Sequence, residues 1–181
     1  TVRDAGFGAE CASAGEVKRA LDAGFDASEI QYTAVNPPGK DLEYVVERWR
    51  EHPELTVVAD AADTVDRLAE REYDGRVAVR VNPGVGAGHH EKVTTGNHPK
   101  FGVPYDRAAA VAERVHEEFA LVGLHAHAGS GIDADQLGDH RKLVRRMGAL
   151  TREIEAAGAD LEFVDIGGGF CVPYRPDEPP L

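Results

Sequence analysis

The sequence has few cysteines, few basic residues and no long apolar run, and each shortage excludes a class of protein. Its two cysteines, Cys11 and Cys171, match neither a disulfide framework nor a metal-binding motif. No apolar run approaches the roughly 20 residues that a membrane helix needs. Lysine and arginine together number 20 against 32 acidic residues, and the resulting net charge of −12 disfavours binding to nucleic acids. We expect a cytoplasmic protein with buried, unreactive thiols.

The length of 181 residues is sufficient for one domain with its own core. The chain begins at Thr1, without an initiator methionine and without the pattern of a signal peptide. We expect one domain over residues 1–181, truncated at both ends relative to a longer protein.

Short apolar runs alternate with helical patterns along the whole chain, which is typical of a parallel sheet. The predicted strands are Gly8–Cys11, Ile30–Thr33, Thr56–Ala59, Val77–Val81, Leu121–His127 and Phe163–Ile166. The predicted helices are Ala14–Ala23, Lys40–Arg50, Ala62–Glu72, Tyr105–Glu118 and Ala134–Ala157. An open doubly wound sheet and a (β/α)8 TIM-type barrel both satisfy this order. A barrel would be incomplete, with about six of its eight strand–helix units.

Three consecutive glycines, Gly167, Gly168 and Gly169, follow the last predicted strand. Their backbone N–H groups are not shielded by side chains, so a phosphate can rest against them. A tight turn that requires positive φ angles explains the glycines equally well. The dinucleotide-binding fingerprint G-x-G-x-x-G is absent at this position.

Two histidines mark the end of the fifth predicted strand. Alternation along a strand predicts that His125 and His127 point to the same side. Ser130 follows in a loop flanked by glycines, where its hydroxyl and N–H can bind an anion. Two histidines on one side can also bind a metal, for which the His89–His90 pair offers a further ligand.

Two charged residues interrupt apolar strands. Arg80 lies within the fourth predicted strand, and Glu10 lies near the end of the first. A buried charge must be paired or must hold a ligand, and an internal ion pair is an equally good explanation for Arg80. Because parallel strands present their carboxyl ends at one edge, we expect these residues to gather there.

Five motifs, in this order, resemble the fold-type III pyridoxal-phosphate-dependent decarboxylases. These are barrel enzymes that act on diaminopimelate, ornithine or arginine, and the resemblance covers essentially the whole chain. The motifs occupy Glu10–Glu16, Arg80–Val85, Thr95–Gly102, Gly123–Ser130 and Asp165–Phe170. The second and third motifs are most similar to those of the members that decarboxylate diaminopimelate.

The resemblance implies a cofactor, a reaction and a set of site residues. Pyridoxal 5'-phosphate would stack on His127, and its phosphate would be held by Ser130 and by Gly167, Gly168 and Gly169. Arg80 would lie near the polar edge of the ring, with Glu10 next to the cofactor. The longer protein would be a homodimer that converts the amino acid meso-diaminopimelate to L-lysine, with ornithine or arginine as alternative substrates.

The chain also departs from the family pattern. The Schiff-base lysine is expected upstream of Thr1, and a C-terminal β-domain that completes the site is expected after Leu181. Pro99 stands where serine is usual. We therefore expect the chain alone to be inactive and, with sheet edges exposed, poorly soluble. A non-catalytic relative that acts as a binding or regulatory protein is the alternative.

Overall fold

A computed structural model describes residues 2–85, 101–173 and 175. Within these ranges the strands are β1 (Ala9–Cys11), β2 (Ile30–Tyr32), β3 (Thr56–Ala59), β4 (Arg76–Asn82), β5 (Val103–Pro104), β6 (Ala120–His125) and β7 (Phe163–Asp165). The helices are α1 (Ala14–Asp22), α2 (Gly39–Glu51), α3 (Ala62–Ala69), α4 (Tyr105–Glu118) and α5 (Leu137–Ala156). None of the helices in these ranges is both long and apolar enough to span a membrane.

The sheet is parallel and its strand order is β1-β2-β3-β4-β6-β7, with β5 paired to the end of β4. This order follows the chain without the reversal that defines a doubly wound sheet. The sheet is also strongly curled. The evidence is that Glu10 Oε1 on β1 lies 3.3 Å from His125 Nε2 on β6. A flat sheet would hold these strands roughly 19 Å apart, at about 4.8 Å for each of the four spacings. The chain therefore forms an incomplete TIM-type barrel.

Apolar side chains on the outer face of the sheet fix the helices in place. Ile30, Val57, Val79 and Leu124, one from each of four strands, are fully buried and belong to the main core cluster. The helices contribute buried residues such as Leu68 of α3 to the same cluster. Because successive side chains of a strand point to opposite faces, the other side chains of each strand lie on the inner face of the curled sheet.

All of the predicted strands and helices are present, but three of their limits differ from the prediction by more than one residue and one strand is additional. Helix α3 ends at Ala69 instead of Glu72, because the chain turns and Glu72 adopts a φ of 54°. A 3-10 turn occupies residues 134–136, so α5 begins only at Leu137. Strand β6 ends at His125, which leaves His127 in the following loop. Strand β5, of two residues, was not predicted because so short a run shows no periodicity.

Side-chain hydrogen bonds define the start of α1, where Ser13 is the N-cap residue. The Ser13 hydroxyl accepts a hydrogen bond from the N–H of Glu16, at 3.3 Å. The Glu16 carboxylate accepts in return from the N–H of Ala12, at 2.6 Å. The first contact satisfies an N–H group that the helix cannot pair internally, and the second pairs an N–H just before the helix. The helix therefore begins at Ala14, three residues after the end of β1 at Cys11.

Candidate cofactor site

The three glycines after β7 form a tight corner. Gly167 and Gly169 have positive φ angles of 68° and 88°, which side chains other than hydrogen disfavour. A Cβ atom at Gly169 would overlap the carbonyl oxygen of Gly129, whereas one at Gly168 would meet nothing within 4 Å. The Asp165 carboxylate accepts a hydrogen bond from the N–H of Gly167, at 2.7 Å, and so fixes the turn. The positive-φ explanation is therefore correct for two of the glycines, and Gly168 leaves the corner open to a ligand.

His127 lies directly against this corner. A Cβ atom at Gly167 would be only 2.6 Å from His127 Nδ1, so the glycine permits the imidazole to approach. The side chain is half-buried. Burial lowers the pKa of His127, and the nearby positive charge of Arg80 lowers it further. The structure thus brings a neutral flat ring next to the glycine corner, as the sequence predicted.

Ser130 occupies the loop that borders the same corner. The loop is joined to the glycine segment by hydrogen bonds from the N–H of Ile132 to the Gly169 carbonyl and from the N–H of Cys171 to the Ile132 carbonyl, at 2.9 and 2.8 Å. Ser130 is exposed, and its Cα lies 3.2 Å from a Cβ atom placed at Gly169. The hydroxyl is therefore accessible beside the corner.

Arg80 is half-buried on β4, in register with His125 on β6. Burial lowers the pKa of the guanidinium, and the carboxylates of Glu10, Asp60 and Asp165 act in the opposite direction. Its Cζ atom lies 5.4 Å from the centre of the Phe101 ring. The structure therefore places a partly desolvated cation among three carboxylates at the carboxyl ends of the strands.

Glu10 and His125 approach each other from opposite sides of the curl. Glu10 Oε1 is 3.3 Å from His125 Nε2, but the ring is not oriented to form a hydrogen bond. The interaction with His125 nevertheless holds the pKa of Glu10 at about 2, against the opposing effect of burial. The Glu10 side chain is 53% exposed, so solvent screening weakens this attraction. The carboxylate is ionised at neutral pH.

Sequence reasoning missed two contributors to this site. His125 was considered only as a possible metal ligand, yet it is 1% exposed and lies at the centre of the charged group. Asp165 was read only as part of the glycine motif, yet its carboxylate fixes the turn at Gly167. An aspartate two residues before a glycine is a signal for such a turn, because its side chain accepts the second N–H that follows.

The described residues suit a ligand that is flat at one end and anionic at the other. The imidazole of His127 offers a face for a ring, and the corner with Ser130 offers unshielded donors for a phosphate. Most of the Thr95–Gly102 motif and the His89–His90 pair, which was considered as a further metal ligand, lie outside the described residues. Cys11 takes no part, because burial raises the pKa of its thiol to about 11.

A curled parallel sheet with an imidazole and an open glycine corner together at its carboxyl edge is an arrangement that suits a phosphorylated ring. Comparison with known families agrees. The chain belongs to the pyridoxal-dependent decarboxylases, since the model of their pyridoxal binding domain matches residues 1–181.

The relatives are longer proteins. Diaminopimelate decarboxylase of Methanothermobacter thermautotrophicus is 38% identical over 184 residues, which cover 99% of this chain and 41% of that protein. The enzyme of the same name from Escherichia coli K12 is 35% identical, over 98% of this chain and 41% of its own length. The chain thus spans about two fifths of these curated relatives.

The fold is shared with solved structures. Diaminopimelate decarboxylase from Helicobacter pylori, complexed with L-lysine, superposes with a TM-score of 0.82 at 24% identity. The match covers 98% of this chain and 45% of that structure. The likeness supports the incomplete barrel, because the matched part of that structure is likewise only a portion of the whole.

Proposed function

We propose that this chain is the pyridoxal-phosphate-holding barrel of an amino-acid decarboxylase, and that the longer protein converts meso-diaminopimelate to L-lysine. The observation that carries the proposal is the contact of His127 with the glycine corner, because one molecule of pyridoxal phosphate can then touch both. The choice of diaminopimelate rests on the relatives of 38% and 35% identity, which bear that substrate in their names.

Each proposed site residue has a task that its surroundings support. His127 stacks on the ring, and its lowered pKa keeps it neutral, which avoids a second positive charge beside Arg80. Gly168, Gly169 and Ser130 bind the phosphate through N–H and hydroxyl donors. Gly167 permits the close approach of His127 to that phosphate position.

Arg80 and Glu10 set the electrostatics around the ring. Arg80 is partly desolvated, so its charge acts strongly on a ligand at the carboxyl ends of the strands. Glu10 is ionised and faces the same space from β1. Bound pyridoxal phosphate supplies an electron sink for the bond pair released when carbon dioxide leaves, and the protein orients the bond that breaks.

The proposal extends to the assembly of the longer protein. Residues 1–181 form the barrel domain, a C-terminal β-domain follows, and two copies form a homodimer. Light scattering of the full-length protein measures the assembly directly. A monomer that retains full activity would contradict this part of the proposal.

The central test uses the full-length protein. We expect carbon dioxide release from meso-diaminopimelate to exceed release from ornithine or arginine at equal concentration. His127→Ala is expected to weaken pyridoxal phosphate binding roughly tenfold, and His127→Phe less, because a flat ring remains. His116→Ala, a change of an exposed histidine on α4, is the matched control. Bound cofactor without carbon dioxide release from any of the three would favour a non-catalytic homologue.

A further inference from the structure

Among the described residues, His125 is a buried side chain without a hydrogen-bond partner, although Glu10 Oε1 lies 3.3 Å from its Nε2. It is 1% exposed, and among the described residues neither ring nitrogen has a hydrogen-bond partner. Native proteins rarely leave such a group unpaired, and an ion or a water commonly explains the exception. The imidazole is placed on β6, at the carboxyl end of the strand, where it faces the interior of the curl.

Two carboxylates converge on this imidazole from the opposite edges of the sheet. One ligand atom each from Glu10, His125 and Asp165 lie within 4.8 Å of one another. Glu10 Oε1 and His125 Nε2 are already 3.3 Å apart. In a tetrahedral zinc site with bonds of about 2.0–2.1 Å, neighbouring ligand atoms are roughly 3.4 Å apart. One edge of such a site is therefore formed, and the ligand atom of Asp165 lies within 4.8 Å of the other two.

The local charge also favours a divalent cation. Glu10, Asp60 and Asp165 all act electrostatically on Arg80, so three carboxylates surround one guanidinium. The three carboxylates and the one guanidinium together carry a net charge of −2. A monovalent ammonium would balance half of that charge, whereas a divalent ion balances all of it.

An ion can reach the cluster from solvent. The Glu10 side chain is 53% exposed. Glu10 and Asp165 both line a cavity of about 230 Å³ at the edge of the sheet. Three protein ligands and an open side are the arrangement in which zinc keeps a water molecule as its fourth ligand.

We infer that Glu10, His125 and Asp165 form a site for a divalent transition-metal ion of the Zn²⁺ or Co²⁺ type. The site differs from the one considered from the sequence, since His127 is not among its ligands. The inference does not rest on the proposed function, because it concerns the chain without pyridoxal phosphate.

The test uses the purified full-length protein, from which pyridoxal phosphate has been removed and metal has been stripped by dialysis against a chelator. We expect calorimetry to show one equivalent of bound Zn²⁺, and Co²⁺ to give the visible absorption of a tetrahedral site. His89 and His90 are replaced by alanine in every variant, so that this pair does not contribute. His125→Gln, Glu10→Gln and Asp165→Asn are each expected to weaken Zn²⁺ binding by at least about tenfold.

His116→Ala and Asp160→Asn, both at exposed positions, are the matched controls and are expected to leave the affinity unchanged. Circular dichroism establishes that each variant is folded, and Glu10→Gln, at a half-exposed position, remains informative if His125→Gln unfolds. Zn²⁺ affinity that is unchanged in Glu10→Gln and Asp165→Asn would overturn the inference. Absence of stoichiometric Zn²⁺ binding to the unsubstituted site would overturn it as well.

Discussion

Two arginines on the inner face of β4 have opposite environments. Arg76, at the start of the strand, donates two hydrogen bonds to Glu162, at 2.8 and 2.6 Å, and its Nε lies 3.3 Å from the hydroxyl of Thr56. The paired carboxylate raises the pKa of Arg76. Arg80, four residues later, has its pKa lowered by burial, although Glu10 and other carboxylates lie nearby.

This difference separates the two ends of the barrel. At the amino ends of the strands, the arginine is matched by a partner within the chain, as expected where the fold serves stability. At the carboxyl ends, Arg80 is desolvated without close pairing and His125 has no hydrogen-bond partner among the described residues. Incomplete pairing of charged and polar groups therefore distinguishes the end at which we propose that the cofactor binds.

The largest expected effect belongs to the glycine corner at the carboxyl end. Gly169→Ala would force a Cβ atom into the carbonyl oxygen of Gly129 at a φ of 88°. We expect the free energy of unfolding to fall by about 3 kcal/mol, since both overlap and backbone strain oppose the change. Urea unfolding of the chain measures it. Gly168→Ala is the matched control, because a Cβ atom there meets nothing, and equal losses in the two variants would show that the corner is not tightly packed.

Replacement of Arg80, which forms no ion pair within 4 Å among the described residues, tests whether its charge serves a ligand. We expect Arg80→Met to weaken pyridoxal phosphate binding about tenfold, or about 1.4 kcal/mol. The free energy of unfolding should change by less than about 1 kcal/mol, because relief of desolvation offsets the lost attraction to the carboxylates. Calorimetric titration and urea unfolding give the two quantities. Arg76→Met should leave cofactor affinity unchanged, and an equal loss of affinity in both variants would remove the distinction between the two ends.

The fold followed from local patterns in the sequence. Helix α4 occupies the predicted residues Tyr105–Glu118, and each predicted strand lies within two residues of its expected limits. Such elements are set by periodicity over neighbouring residues, which a sequence displays directly. The proximity of the glycine corner to His127 was also predictable. Both follow neighbouring parallel strands, and such strands end at the same edge of the sheet.

The charged interior did not follow from local patterns. Glu10 meets His125 only because the sheet curls enough to bring β1 toward β6, and curvature has no local signature in either strand. Alternation predicted that His125 and His127 share an orientation within one strand. Strand β6 ends between them, so the loop and the contact with Gly167 determine where His127 lies.

The ion pair at the amino end should affect stability alone. We expect Arg76→Met to lower the free energy of unfolding by about 1 kcal/mol, since the pair is bidentate but Glu162 is 53% exposed. A double-mutant cycle with Glu162→Gln measures the interaction separately from the loss of each side chain. Additive effects of the two substitutions would show that the pair contributes nothing.

The Arg76–Glu162 pair should also make the free energy of unfolding depend on pH at acidic values, which is the smallest of the expected effects. Its arginine lowers the pKa of Glu162 below the ordinary value of 4.5. The unfolded chain therefore binds a proton at higher pH than the folded chain does. The stabilisation is present above about pH 4.5 and is lost as the pH falls through the folded pKa. We expect the stability difference between the native chain and Arg76→Met to shrink over this window in urea unfolding at graded pH. A difference that persists unchanged below the window would mean that Arg76 stabilises the barrel by packing on Thr56 and its neighbours instead of by its charge.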